Sequence, residues 1–142
     1  MIAVDTNILV YAHREESPRH RAARARLTEL AEGDALWGIP VFCVTEFARV
    51  MTHPRLFDPA YGADEACRAL DRIFQSPSLR VLHTGATFLA RFAEAVREAN
   101  AIGNLVFDAQ IVAVCRESGV TCLVTEDRDF ARFRRFTTES LA

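Results

Sequence analysis

The chain has 142 residues, of which 50% are hydrophobic and 25% charged, and this ordinary globular composition excludes a disordered or fibrous protein. The length suits one full hydrophobic core and is too short for two ordinary domains, so a single domain over residues 1–142 is expected. The net charge of −2 supplies no overall attraction to nucleic acid, and since all 17 basic residues are arginine, a P-loop nucleotide site, which needs a lysine, is excluded.

The first half of the chain alternates short apolar strands with helices. The predicted elements are a strand at 2–4, a helix at 8–13, a helix at about 18–32, a strand at 35–39 and a helix from 40 that ends before residue 54. Thr6 and Asn7 are suited to cap the first helix, and Ser17 and Pro18 to open the second.

The second half continues this alternation after a proline-marked loop at residues 53–61. The next predicted elements are a helix at 63–74, a strand at 79–82 and a helix from 84 to about 100. They are followed by a helix to residue 117 with Asn104 as its cap, a strand at 120–125, a short helix or turn at 127–133 and an edge strand at 136–137. Together these elements predict an α/β domain. A mostly parallel central sheet of about four to five strands would be covered by helices on both faces, as an α/β/α sandwich.

Several segments bear on location and on thiol chemistry. The apolar stretches are shorter than the roughly 20 residues that span a bilayer, and residues 1–5 lack the basic and long apolar regions of a secretory signal. We therefore expect a cytoplasmic protein without a membrane span.

The four cysteines form no CxxC pair, which favours buried, reduced thiols, and the scattered histidines argue against a zinc site.

Four acids adjoin apolar segments in which a bare negative charge is costly, namely Asp5, Glu46, Asp108 and Asp127. A buried carboxylate normally neutralises, pairs with a cation or coordinates a metal. Asp108 is the most informative, because at 100° per residue it shares a helix face with Ile111, Val112 and Cys115, which we expect to be the most buried face. A functional reason for Asp108 is therefore favoured over a structural one.

Asp5 and Asp127 each follow a predicted strand, and ligands of parallel sheets gather outside the carboxyl ends of the strands. Each acid also has a structural alternative. The alternative for Asp5 is a role as a helix cap alone, and that for Glu46 is a solvated side chain or an ion pair with Arg49. The alternative for Asp129 is a cap of the turn after the last long strand. Glu126 is expected to be solvated.

Gathered carboxylates are typical of a site for Mg²⁺ or Mn²⁺, which prefer oxygen ligands and keep positions open for phosphate oxygens. Such a site suits phosphodiester hydrolysis, since a bound cation lowers the pKa of an attacking water and stabilises charge on the phosphoryl group. The chain offers no Ser, His or Cys constellation for covalent catalysis.

Four segments together resemble the PIN-domain ribonucleases of the VapC toxin type, over essentially the whole chain. The matching segments are residues 4–12, 45–47, 103–109 and 125–130. The resemblance implies Mg²⁺-dependent RNA cleavage, with Mn²⁺ able to substitute. It implies metal ligands at Asp5, Asp108 and Asp127, with Glu46 completing the catalytic pocket. The supporting polar residues that it implies are Thr6, Asn7, Asn104, Thr125 and Asp129.

The resemblance also implies partners. We expect a homodimer that is inhibited by a VapB-type antitoxin, whose tail would enter the acidic cleft. The family would place antitoxin contacts on the second and third helices, around Leu27, Leu30, Phe42 and Phe47, for which the alternative is a core role. Where the family often has a histidine before its third acid, this chain has Phe107, so no direct catalytic role is expected there.

Two arginine clusters are candidates to bind RNA phosphates at the rim of an acidic centre. The RNA-binding candidates are Arg14, Arg19, Arg21, Arg24, Arg128 and Arg132. A solvated helix face is the alternative for the first cluster.

Two other functions remain as alternatives. A catalytically inactive PIN-like binding module would have no reason to keep Asp108 on a buried helix face. An aspartyl-nucleophile phosphatase would require an Asp-x-Asp pattern and a helper lysine, whereas this chain has Asn7 and no lysine.

Overall fold

The computed structural model describes residues 1–142 as five strands, six α-helices and one short 3-10 helix. The strands are β1 (Ile2–Val4), β2 (Trp37–Pro40), β3 (Leu79–Leu82), β4 (Cys122–Val124) and β5 (Thr138–Glu139). The α-helices are α1 (Thr6–His13), α2 (His20–Glu32), α3 (Val41–Met51), α4 (Ala63–Phe74), α5 (Phe88–Ala99) and α6 (Leu105–Glu117). The 3-10 helix is Arg128–Arg132, between β4 and β5.

All five strands form one parallel sheet in the order β3-β2-β1-β4-β5. Strand β1 is central, with Ile2 opposite Trp37 of β2 on one side and opposite Cys122 of β4 on the other. The chain turns to opposite sides of β1 in its two halves, so the carboxyl ends of β1 and β4 border a topological switch point, where such sheets bind ligands. The predicted fold class is confirmed.

The core is a cluster of 27 buried residues in which sheet and helices meet. Because the central strands are covered on both faces, Ala3, Val4, Leu123 and Val124 are all fully buried, as their continuous apolar runs predict. Gly38 of β2 is required by packing, since a Cβ there would lie 2.9 Å from the Leu82 side chain.

Several predicted boundaries were wrong. The first helix starts at Thr6 rather than at residue 8, with Asp5 as its cap in place of Thr6 or Asn7, and two strands lie at Trp37–Pro40 and Cys122–Val124 rather than at 35–39 and 120–125. The second helix starts at His20, because Ser17 Oγ accepts a hydrogen bond from the Arg19 N–H and holds a turn before it. The fifth helix starts at Phe88 because the Glu117 carboxylate binds the N–H groups of Gly85 and Thr87 at 2.6 and 2.7 Å. The last strand lies at Thr138–Glu139 rather than at 136–137.

The cysteines are all free thiols; Cys43 and Cys115 are buried, as expected, whereas Cys67 is exposed and Cys122 is half-buried. None of the helices combines the length and the apolar character needed to cross a bilayer.

Candidate active site

Asp5 lies directly after β1, at the switch point of the sheet, and is 6% exposed. It caps α1, since its Oδ1 accepts a hydrogen bond from the Thr6 N–H at 2.8 Å. The same carboxylate accepts hydrogen bonds from the Thr125 hydroxyl at 2.7 Å and from the Cys43 thiol at 3.6 Å. The capping role and a place in the site are therefore not alternatives, because Asp5 has both.

Burial raises the pKa of Asp5 to about 6, although the hydrogen bonds from Thr125 and Thr6 oppose that rise. The charge of Glu46 raises this pKa further. Ionising Asp5 costs free energy, and the three donors that contact its carboxylate hold it in a fixed orientation.

Thr125 connects the polar residues at the ends of β1 and β4. Its hydroxyl donates to Asp5 and accepts from the Asn7 side-chain amide at 3.3 Å and from the Asp127 N–H at 3.0 Å. The Asn7 side-chain oxygen accepts from the Glu126 N–H at 3.4 Å. Thr125 and Asn7 thus have the orienting contacts expected of supporting residues, whereas the buried Thr6 hydroxyl has no hydrogen-bond partner.

Asp108, Asp127 and Asp129 form the second part of the site. One side-chain oxygen of each lies within 4.8 Å of those of the other two. Burial raises the pKa of Asp108 to about 7, and the negative charges of Asp127, Asp5, Asp129 and Glu46 raise it further. The four predicted acids are thus brought together from separate segments of the chain.

We predicted that Asp108 lies on the most buried face of its helix, but its side chain is half-buried. It stands in the first turn of α6, where the preceding residues 102–104 and Phe107 are still exposed, while Val112 and Cys115 are fully buried. The cost of its charge therefore comes from neighbouring acids as well as from burial. Asn104 is the N-cap residue of α6, as predicted, although its side chain makes no capping hydrogen bond.

The segment after β4 also differs from expectation. Asp127, and not Asp129, caps the 3-10 helix, since its Oδ1 accepts from the Asp129 N–H at 2.9 Å. Asp129 instead joins the carboxylate cluster. Glu126 is not simply solvated, because it lies 3.1 Å from the Arg19 guanidinium and accepts from the Leu141 N–H at 2.5 Å.

Glu46 is half-buried on α3 and faces a cleft beside the cluster. The predicted alternative of an Arg49 ion pair is not found among the six salt bridges of the chain. The neighbouring Phe47 is fully buried in the core, so its alternative role in packing is the one observed.

The donor set fits a hard divalent cation. The clustered ligand atoms are all carboxylate oxygens, as Mg²⁺ and Mn²⁺ prefer, and their mutual repulsion would be relieved by a positive charge. Asp5 is next to this group rather than within it, since its oxygens are already engaged by protein donors.

The predicted RNA-binding arginines separate into two groups. Arg14 is only 7% exposed, donates to the Pro59 carbonyl at 2.9 Å and packs 4.0 Å from the centre of the Phe57 ring, so its prediction as a surface contact was wrong. Arg19 is occupied by Glu126 and by the Leu141 carbonyl. The exposed candidates are Arg21, Arg24, Arg128 and Arg132. Of these, Arg128 lines a cleft of about 560 Å³ together with Thr125 and Asp127.

Comparison with known proteins gives a family match over almost the whole chain. The family model described as "PIN domain" matches residues 2–135. VapC43 from Mycobacterium tuberculosis, a named ribonuclease, is 36% identical over 135 residues, which cover 95% of this chain and 91% of that protein. The chain is a PIN-domain protein of the VapC family.

Other VapC proteins extend the match. VapC31 from Mycobacterium tuberculosis is 31% identical over 134 residues, which cover 94% of this chain and 93% of its own. The fold is that of VapBC2 from Rickettsia felis, solved bound to a promoter DNA fragment, with a TM-score of 0.74, 20% identity and 100% of both chains covered. VapC20 from Mycobacterium tuberculosis, described as a sarcin-ricin loop cleaving toxin, gives a TM-score of 0.67 at 22% identity, with 95% and 98% covered.

Proposed function

We propose that this VapC-family protein is a divalent-metal-dependent endoribonuclease toxin, which hydrolyses RNA phosphodiesters at the acidic pocket. The observation that carries the proposal is the carboxylate cluster of Asp108, Asp127 and Asp129, with Asp5 and Glu46 beside it at the sheet's switch point. Ribonucleases in the same family, with 36% and 31% identity, support RNA as the substrate. The proposed domain spans residues 1–142.

Asp108, Asp127 and Asp129 would hold Mg²⁺, or Mn²⁺ in its place, and Asp5, which lies next to them, would complete the set. The cation would act as a Lewis acid on the phosphoryl group and lower the pKa of an attacking water. Thr125 keeps Asp5 in one orientation and fixes the backbone before Asp127. Exposed Arg21, Arg24, Arg128 and Arg132 are proposed to contact phosphates around this acidic centre.

The proposed regulation is inhibition by a VapB-type antitoxin. VapBC2 of Rickettsia felis was solved with its toxin and antitoxin together, and shares this fold. The half-buried apolar side chains of α2 and α3, Leu27, Leu30 and Phe42, are proposed contacts. We further propose a homodimer that acts in the cytoplasm.

The test is cleavage of RNA by purified protein freed of any antitoxin. Cleavage is expected with Mg²⁺ or Mn²⁺ and none with EDTA, and Asp108→Asn should lower it by roughly 10²- to 10³-fold. A matched control is Asp71→Asn, which changes an exposed aspartate of α4 that has no salt bridge.

Four results would contradict the proposal. Cleavage in EDTA, or full activity of Asp108→Asn, would remove the metal mechanism. Release of phosphate from small esters with RNA left intact would favour the phosphatase alternative. Antitoxin binding without cleavage of any RNA would favour an inactive binding module.

A further inference from the structure

A cleft of about 650 Å³ lies between α3 and the start of α6, beside the acidic cluster. The α3 side is lined by Phe42, Glu46 and Arg49, whose spacings of four and three residues place them on one helix face. Glu46 is common to the cleft and the site, since its charge also acts on Asp108. The cleft therefore adjoins the proposed cutting position.

The facing side is formed by Asn104, Phe107 and Gln110, which are three residues apart around the beginning of α6. Phe107 is 58% exposed although it directly precedes Asp108 in the chain. Its ring is therefore presented to the cleft and is not used in the core. The two amides beside it can each both donate and accept hydrogen bonds.

We propose that this cleft is a nucleobase subsite, in which Phe107 stacks on an unpaired base next to the phosphate that is cut. The inference rests on the proposed function for the identity of the substrate as RNA. Single-stranded RNA is bound by stacking its bases on aromatic rings, while amide side chains read the base edges. Asn104 and Gln110 are placed for such reading, and the exposed Arg49, which has no salt bridge, can contact the adjoining phosphate.

The lining of the cleft favours a base over an apolar protein helix. Only two of its seven lining residues, Phe42 and Phe107, are hydrophobic, and the others carry amide, hydroxyl or charged groups. A helix that docks in a groove needs a row of apolar contacts, whereas a nucleobase needs one aromatic face and a few polar edges. The volume is also within the roughly 300–1,000 Å³ that small-molecule sites occupy.

The first test compares cleavage by Phe107→Ala and Phe107→Trp. Removal of a stacking ring should raise KM by roughly 5- to 150-fold, with kcat within about twofold, because the base contact is made equally before and during the reaction. Phe107→Trp should keep a KM near that of the wild type. The matched control is Leu89→Ala on α5, where an apolar side chain that is 76% exposed lies outside the cleft, and KM should not change.

The second test does not depend on cleavage. The chain has one tryptophan, Trp37, which is 2% exposed, so the fluorescence change of Phe107→Trp on ligand addition reports on position 107. A short single-stranded oligoribonucleotide added in EDTA should quench this emission, and the same oligonucleotide with abasic positions should not. The wild type, with Trp37 alone, gives the background.

The subsite would be overturned if Phe107→Ala cleaved RNA with an unchanged KM, or if intact and abasic oligonucleotides quenched equally. Quenching of the Phe107→Trp emission by an antitoxin peptide, with none by RNA, would overturn it in favour of a protein partner. Failure of the wild type to cut RNA, with base-dependent quenching intact, would remove the proposed function and leave the subsite standing.

Discussion

The two sides of the acidic site are built differently. On the strand-end side, Asp5 is buried and accepts hydrogen bonds from three protein donors. On the helix-end side, Asp108 is half-buried, and its raised pKa has burial and four negative neighbours as its causes, with no hydrogen bond among them. On the first side, protein donors satisfy the carboxylate, whereas on the second side the close carboxylates repel one another, and a proton or a bound cation would balance their charge.

The largest expected effect comes from Asp108→Asn. Cleavage of RNA should fall by roughly 10²- to 10³-fold, which is the size of effect seen when one electrostatic group of a site is removed. Thermal stability without metal should rise, because one of the mutually repelling charges is gone. Cleavage assays and melting curves in EDTA check both effects, with Asp71→Asn as the control. A fall in stability would contradict the description of the helix-end side.

Thr125→Val tests the strand-end side. The change removes one donor to Asp5 and the acceptor for the Asn7 amide and the Asp127 N–H. Activity should fall by about 10- to 100-fold, as for other residues that orient metal ligands. The free energy of unfolding should drop by about 1–3 kcal/mol, because buried polar groups lose partners.

Denaturant titrations measure the stability of Thr125→Val. The matched control is Thr28→Val, an exposed threonine of α2, for which we expect no loss. Unchanged stability of Thr125→Val would mean that the strand-end side is not held by this hydroxyl.

The pH dependence of the free energy of unfolding should report on both Asp5 and Asp108. The folded pKa values of Asp5 and Asp108, about 6 and about 7, lie above the ordinary value of 3.8, so the folded chain binds more protons than the unfolded chain. In EDTA, stability should therefore rise as the pH falls from 7 to 5, and be lost as the pH rises through this window. Saturating Mg²⁺ should flatten the dependence.

Urea titrations at several pH values measure this dependence, and the slope should be smaller in Asp108→Asn. Stability that increased with pH over the same window, in EDTA, would show that the two carboxyl groups do not have raised pKa values in the folded state.

The smallest expected effect is at Cys43, whose thiol donates to Asp5. Burial raises the pKa of this thiol well above its ordinary value, so it stays protonated as a donor. Cys43→Ala should lower cleavage by about 2- to 10-fold, the equivalent of one modest hydrogen bond, and Cys43→Ser should retain most activity. Kinetics of both variants test this, with the exposed Cys67→Ala as the control. Equal loss in the Ser and Ala variants would indicate packing alone.

Hydrophobic patterning predicted the sheet and the positions of Asp5 and Asp127 at strand ends, because buried parallel strands are continuous apolar runs and their order fixes which residues follow them. It could not identify which acids share a cluster. Asp129 joined the cluster and Glu126 paired with Arg19 through the shape of a short turn, which has no periodic signal.

The contacts of two other residues, Arg14 and Cys43, were not predicted, because their partners are distant in the sequence. Arg14 is buried against Phe57 and the Pro59 carbonyl, contacts that come from a loop 45 residues further along the chain. Cys43 sits within an apolar run and gives no sequence signal of a hydrogen bond to Asp5, which is 38 residues away. Long-range polar contacts of this kind depend on the finished fold.

The most direct test of the central claim is Mn²⁺ binding at neutral pH, followed by loss of the free-ion electron paramagnetic resonance signal. The wild type should take up Mn²⁺ saturably, Mg²⁺ should compete for the same site, and Asp108→Asn should bind much more weakly while Asp71→Asn binds as the wild type does. Equal binding by the wild type and Asp108→Asn, or no saturable binding by either, would contradict the assignment of the acidic cluster as a metal site.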